Sequence, residues 1–390
     1  MHKLIFANQL RGLAALFVVV THYIGIYCGA PQVVSAITFS PNLPFVTPAW
    51  VAHLNFRYFS TGPFGVALFF LISGLVISFT LEHNRPWAFL VARCFRIFPT
   101  YLFALVLGLL VVWLSSRYWG IAFGYGFKEI ASNALLINNL FALASIDAVN
   151  WTLAVEIKFY LLLAFAKPWF LLAPYRTVAG FALLVLAATA VDAAILPATG
   201  PAGLPGIAVA IKALLIEANY IVFMSIGVLF YRHVKGAFSW VRLVPGALAL
   251  LLIFTLTWAI GPQREQFYIV TLDYYFAFGV FLLCCMGRQF FRPIRLLDFF
   301  ADISFPLYVV HSLLGYTLLK LAMSHGISYP VALFGVFSVV VAVAYGVHLQ
   351  IELTSNRLGK RLAARLQQGR AGQSGGTLGA KGAKSSAEHR

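Results

Sequence analysis

The chain has 390 residues, of which 61% are hydrophobic and only 10% charged, whereas soluble domains carry about 25% charged residues. That composition excludes an ordinary water-soluble enzyme and, ahead of the C-terminal tail, excludes disorder. Its 28 basic residues against 12 acidic ones, a net charge of +16, fall between long apolar runs, so they point to a membrane surface and not to nucleic acid.

A hydrocarbon core of about 30 Å needs roughly 20 apolar residues of helix. Runs of this kind predict ten spans, at 9–28, 62–81, 96–115, 151–172, 177–196, 210–231, 243–260, 267–287, 303–323 and 330–351. The first is not read as a cleavable leader, because it carries Arg11 and His22 and no small-residue cleavage site follows. The fourth is interrupted by Glu156, Lys158 and Lys167. The expected fold class is therefore all-α: a polytopic membrane helix bundle of about ten transmembrane helices. With both termini cytoplasmic, the inner segments collect 21 of the 28 basic residues. The outer loops keep only Arg57, Arg117, Lys128 and Arg264, while Lys158, Lys212 and Lys320 fall within spans. This is the asymmetry of the positive-inside rule.

Two outer loops are long, 29–61 and 116–150. In the second, Phe127, Ile130, Ala134, Ile137 and Phe141 have the spacing of a short interfacial or re-entrant helix. Residues 1–355 read as one integral membrane domain. Residues 356–390 read as a basic, largely disordered cytoplasmic tail resting on anionic lipid, worth about 1 kcal/mol per basic residue near the surface. Chemistry is thus expected from the helices themselves. Cys28, Cys94, Cys284 and Cys285 form no CxxC pair, so neither a zinc ribbon nor a disulfide framework is indicated.

An ionisable side chain within a span costs about 2.5–3.5 kcal/mol on insertion scales and is a functional hypothesis by default. Arg11 and His22, eleven residues apart, project from one helix face about 16 Å apart along the axis. Counting from Trp151 at the outer boundary places Glu156 at the depth of His22, where a carboxylate could orient the imidazole; a buried bridge that locks helices is the plainer alternative. Ser304, Tyr308 and His311 make one polar stripe on the ninth span. For His311 alone, catalysis and helix joining stand level. Arg93 and Arg96 stand one turn apart at a cytoplasmic entrance, as topology determinants or as a phosphate clamp. Gly62, Gly65 and Gly74 lighten the second span, for close packing or for a narrow pore. His22, Glu156 and His311 lack the spacing of a helical zinc site, so no metal is expected. Nucleotide-binding and serine-hydrolase motifs are also absent.

Taken together, these residues resemble the acyltransferase 3 family of multi-spanning membrane acyltransferases. The run from Leu10 to Leu16 with His22 is similar to the family's first helix, and Gly65 to Gly74 to its second. Arg93-Cys94-Phe95-Arg96-Ile97-Phe98-Pro99-Thr100-Tyr101 is similar to its arginine signature. Trp151-Thr152-Leu153-Ala154-Val155-Glu156 with Phe159-Tyr160 resembles its W-[ST]-L-x-x-E-x-x-F-Y signature. Ser304 to His311 resembles its late S-Y-x-x-Y-x-x-H, with Phe305 in place of a tyrosine. Glu352 matches a terminal glutamate, although the proline usual after it is missing.

The resemblance implies a membrane O-acyltransferase, in a bacterial inner membrane. Such an enzyme takes an acyl group, usually acetyl, from cytoplasmic acyl-CoA to a hydroxyl of a cell-surface or lipid-linked glycan or a macrolide. Acyl-CoA is then a consumed donor substrate and not a resident cofactor. Arg11 and His22 are implied to be essential, and Arg93 and Arg96 to contact the donor. The expected mechanism has His22, oriented by Glu156, act as base or acyl carrier. Tyr160, Tyr308 and His311 are then oxyanion candidates, and Trp151, Tyr160 and Tyr308 substrate contacts. The rival reading is a transporter or flippase for a lipid-linked glycan, with the same polar residues as a proton relay.

Overall fold

The computed structural model describes residues 4–44, 47–54, 59–195 and 206–368. Among these residues it is an all-helical bundle. The ten expected spans each hold a helix: α1 Ile5–Val20, α2 Thr61–His83, α3 Pro86–Trp119, α4 Asn150–Phe165, α5 Pro174–Ile195, α6 Gly206–Val234, α7 Trp240–Ile260, α8 Phe267–Met286, α9 Ser304–Ser324 and α10 Tyr329–Val347. Among the described residues, eight helices are long and apolar enough to cross a membrane. The two that fall short are α4, with 16 residues, and α8, whose apolar stretch is Val270–Met286. The chain is a multi-pass membrane protein.

Local sequence sets the helix ends. Pro86 and Pro330 sit in the first turns of α3 and α10, where a missing N–H costs nothing. Gly120 closes α3 at φ +66°, a conformation that favours glycine. The fourth expected span ends early: Ala166 breaks the helix and Lys167–Leu172 forms a separate short one. Its Lys167 donates to the carbonyls of Glu82 and Asn84, tying it to the turn between α2 and α3.

Helices α2 and α6 pack at the centre, and glycine makes their approach possible. A Cβ at Gly74 would stand 2.1 Å from the Met224 carbonyl oxygen, and one at Gly227 2.3 Å from that of Leu71. Gly65 lies close against the α1 backbone, where an added Cβ would stand 2.8 Å from the Ala14 carbonyl oxygen. In these two helices glycine therefore serves packing, as in small-residue membrane interfaces. Gly62 differs, because it also lines a cavity. The three lysines within spans are all partnered: Lys158 with Glu217 at 2.9 Å, Lys212 with Asp192 at 3.1 Å, and Lys320 with Ser35 and the Pro41 carbonyl.

The outer loop 116–150 holds the expected short helix, Phe127–Ala134, followed by a single 3-10 turn, Asn138–Phe141. Its last part sinks into the bundle, where Ile146, Asp147, Val149 and Asn150 are buried. At the other end, α10 runs through a π turn, His348–Glu352, into α11, Leu353–Gln368. Helix α11 lays Gly359 on Phe95 of α3 and bonds Gln367 to Asn84. Residues 356–368, expected in the disordered tail, are thus helical and packed. The remainder of that tail, 369–390, and Arg57 of the outer loop lie outside the described residues.

Candidate active site

Two cavities enter the bundle from its two ends. The smaller, about 80 Å³, is lined by Arg11 of α1, Ser73 of α2, Arg96 of α3, Thr152 and Glu156 of α4, and Ser304 and Tyr308 of α9, among apolar side chains. The larger, about 1100 Å³, is lined by Thr21 and His22, Gly62, Trp151, Tyr220, Tyr274, Asn139, Glu217 and the loop around Gln263. Val66 and Tyr308 belong to both walls. The polar stripe of α9 therefore runs through the bundle, with Ser304 in one cavity, Tyr308 between the two, and His311 beside the second.

Arg11 lines the small cavity and His22 the large one, in keeping with their shared helix face. Arg11 is held by the short helix Arg295–Asp302, where its Nη2 donates to the Ala301 carbonyl at 3.0 Å. Close contact at Gly12, where a Cβ would be 2.7 Å from the Leu297 carbonyl oxygen, presses the two helices together. Asn8 also donates to Asp298 at 2.7 Å. Arg11 keeps one buried nitrogen, Nε, without a hydrogen-bond partner.

At Thr21–Ile26 the first helix widens into a π turn, a feature that often marks functional positions. His22 sits in it, and its Nδ1 lies 2.6 Å from Nε2 of His311, with the rings stacked 4.7 Å apart. The His311 Nδ1 lies 3.0 Å from the Leu307 carbonyl. A carbonyl only accepts, so His311 Nδ1 carries a hydrogen. In the neutral pair His311 Nε2 is then bare and accepts from His22 Nδ1–H. That leaves His22 Nε2 with its lone pair, on a ring that borders the large cavity. Tyr23 donates to the His311 carbonyl at 2.8 Å, fixing the helix behind the pair.

Glu156 does not meet His22. It accepts from Ser73 at 3.1 Å and forms a short hydrogen bond with Tyr160, and it borders the small cavity with the two arginines. The discrepancy has a physical cause. Helix α4 starts inside the bundle, because Asn150 bonds Asn133 at 2.7 Å and the loop before it is buried, so every α4 residue lies deeper than a count from the outer surface gives. Trp151 remains in the large cavity, its ring tilted against that of Tyr220 with centroids 5.0 Å apart. Tyr160 lines neither cavity. It serves Glu156 and offers its ring to the Arg93 guanidinium at 5.8 Å.

The arginine pair is likewise divided. Arg96 borders the small cavity, whereas Arg93 donates to Thr80 at 2.9 Å and lies over the rings of Phe89 and Tyr160. Tyr308 shares a hydrogen bond with Thr152 at 2.8 Å and donates to the Val149 carbonyl at 3.3 Å.

Several residues at the site were not singled out from sequence. Glu217 takes hydrogen bonds from Asn139 at 2.6 Å and Lys158 at 2.9 Å in the wall of the large cavity. Asp192 faces the same space. Both are carboxylates inside spans, so the rule that marked Glu156 would have found them. Asp147 is a different case. It lies on the buried loop, accepts from Ser312 at 2.5 Å and from the Val149 N–H at 3.3 Å, and thereby ties that loop to α9 beside His311. Burial raises its pKa to about 6, against the pull of those donors.

A family model described as an acyltransferase domain, that of the acyltransferase 3 family, matches residues 4–349 of the chain. Neither the curated proteins nor the solved structures contain a match to it.

Proposed function

The chain belongs to the acyltransferase 3 family, and on that premise we propose that this membrane acyltransferase moves an acetyl group from cytoplasmic acyl-CoA to a hydroxyl of a cell-surface or lipid-linked glycan. The observation that carries the reading is the pair of cavities that share Val66 and Tyr308 as wall: a narrow one bordered by Arg11 and Arg96, and a wide one bordered by His22, aromatic rings, amides and carboxylates. Coenzyme A carries several phosphate charges, which a basic cytoplasmic mouth attracts. Its slender pantetheine arm suits the narrow cavity. A glycan suits the wide one, where Trp151 and Tyr220 offer ring faces and Asn139, Glu217 and Gln263 offer hydrogen bonds. A bacterial inner membrane is the setting this reading implies.

In the proposed step His22 Nε2 takes the proton of the acceptor hydroxyl while its oxygen attacks the thioester carbonyl. The carbon–sulfur bond then breaks, and the proton on His22 passes to the departing CoA thiolate, giving an ester and free CoASH. The thioester is already activated, so the step consumes no ATP. General-base catalysis of this kind contributes about 10²–10⁴ in rate. His311 holds the reactive tautomer and shares the charge that His22 gains, which is the role sequence reading gave to Glu156. Glu156 instead balances Arg11 and Arg96 at the donor end. The hydroxyl of Tyr308 is engaged with the start of α4, through Thr152 and the Val149 carbonyl, so Tyr308 shapes the boundary between the cavities and does not donate to the developing oxyanion.

The test is release of free CoA thiol by purified protein with a glycan acceptor, comparing wild type with His22→Ala. Loss of release in a folded variant that still binds acyl-CoA supports the reading. Movement of a lipid-linked glycan across vesicles without any acyl-CoA would favour the flippase instead.

A further inference from the structure

The two cavities create a problem that acyl transfer alone does not address. Each reaches the middle of the bundle from its own end, and Val66 and Tyr308 form both inner walls. If these side chains moved aside, water would run in one file past Arg11, Glu156 and His22. A membrane protein with such a path would short-circuit the proton gradient across its own bilayer.

Tyr308 is built to prevent this. It is nearly buried, at 6% exposure. Its hydroxyl is held at two points on the start of α4, Thr152 Oγ1 at 2.8 Å and the Val149 carbonyl at 3.3 Å. Phe69 abuts its ring edge-on at 5.5 Å, and Val66 supplies a buried apolar surface beside it. A constriction lined by apolar side chains excludes water even where its walls do not touch. Holding the ring by its hydroxyl sets its position without adding a polar wall on the Val66 side.

We propose that Tyr308, seated against Val66 and Phe69, is the seal that keeps the two cavities from joining into a water path across the membrane, and that it opens only when an inserted chain takes its place. The second half rests on the acyl-CoA reading, in which the pantetheine arm is that chain. The first half does not, so the two can fail separately.

The full-length protein in proteoliposomes, with an internal pH-sensitive dye and no acyl donor, tests the seal. Tyr308→Phe keeps the ring but loses its anchor on α4, so it leaks faster than wild type yet more slowly than Tyr308→Ala, which collapses an imposed pH gradient on the order of tenfold faster. Cysteine accessibility provides a second measurement that needs no damaged seal. With the four native cysteines replaced, a membrane-impermeant thiol reagent modifies Ser73→Cys from the Arg11 side only and Thr21→Cys from the opposite side only. Val66→Cys reacts from both. Gradients held equally well by Tyr308→Ala, or Ser73→Cys labelled from both sides while Tyr308 is intact, would overturn the proposal.

Discussion

Replacing His311 by alanine is the sharpest probe of the site, because the structure gives that residue a single task toward His22. The substitution removes the acceptor 2.6 Å from His22 Nδ1. A buried N–H is left unpaired, at a cost of about 1–3 kcal/mol. The ring can then recover a partner by turning over or by shifting its hydrogen to Nε2, and either change takes the lone pair from where the acceptor hydroxyl needs it. With the base disordered, kcat is expected to fall by about 10²–10³, within the range general-base catalysis contributes, or roughly 2.7–4 kcal/mol in barrier height. The KM for acyl-CoA should barely change, since His311 does not line the small cavity. His311→Gln, whose carbonyl oxygen can accept the same hydrogen, should restore part of the loss. The double variant with His22→Ala should be no worse than His22→Ala alone, as for residues that act as one unit. The assay is steady-state thioester consumption in detergent or nanodiscs. Wild-type kcat in His311→Ala, or a glutamine variant as inactive as alanine, would refute the tautomer argument.

Three further outcomes follow from the same geometry. Arg96→Gln should raise the KM for acyl-CoA, whereas Arg93→Gln should mainly lower the melting temperature, because Arg93 is engaged with Thr80 and two aromatic rings; equal effects of both on donor binding would restore the paired clamp. Asp147 has a folded pKa of about 6, raised from 3.8, so the folded state binds more protons between those values and stability declines as pH rises through them. Asp147→Asn keeps an acceptor for Ser312 but abolishes that titration, so its melting temperature relative to wild type should shift in the variant's favour from pH 4 to 7, by an amount on the order of 2–3 kcal/mol in stability; a difference that does not vary with pH counts against it. Gly74→Ala places a methyl 2.1 Å from the Met224 carbonyl oxygen and should cost about 1–3 kcal/mol by overpacking, seen as a lower thermal midpoint in detergent.

Much of this architecture is legible in the amino-acid order, because lipid leaves few alternatives: backbone groups must be satisfied within the segment, so a 20-residue apolar run is a helix. The ten runs and the charge asymmetry therefore locate the bundle, and polar residues such as Arg11, His22 and His311 stand out against an apolar background. Depth is less legible. Counting from Trp151 misplaces Glu156, because the buried loop from Ile146 to Asn150 carries the start of α4 inward, and nothing in the local pattern of that loop announces it. Partner choice is also hidden, because helix rotation decides it: Arg93 and Arg96 are one turn apart in sequence, yet only Arg96 reaches a cavity. The pairing of His22 with His311 across 289 positions is of the same kind. Each is conspicuous alone, and only the packed bundle joins them.

The central claim is that His22, in the wall of the large cavity, performs acyl transfer. Purified protein incubated with radiolabelled acetyl-CoA and a glycan acceptor, wild type beside His22→Ala, tests it most directly. Labelled glycan is expected from wild type and none from a folded, donor-binding His22→Ala protein. Label on the glycan at the wild-type rate in that variant would contradict it.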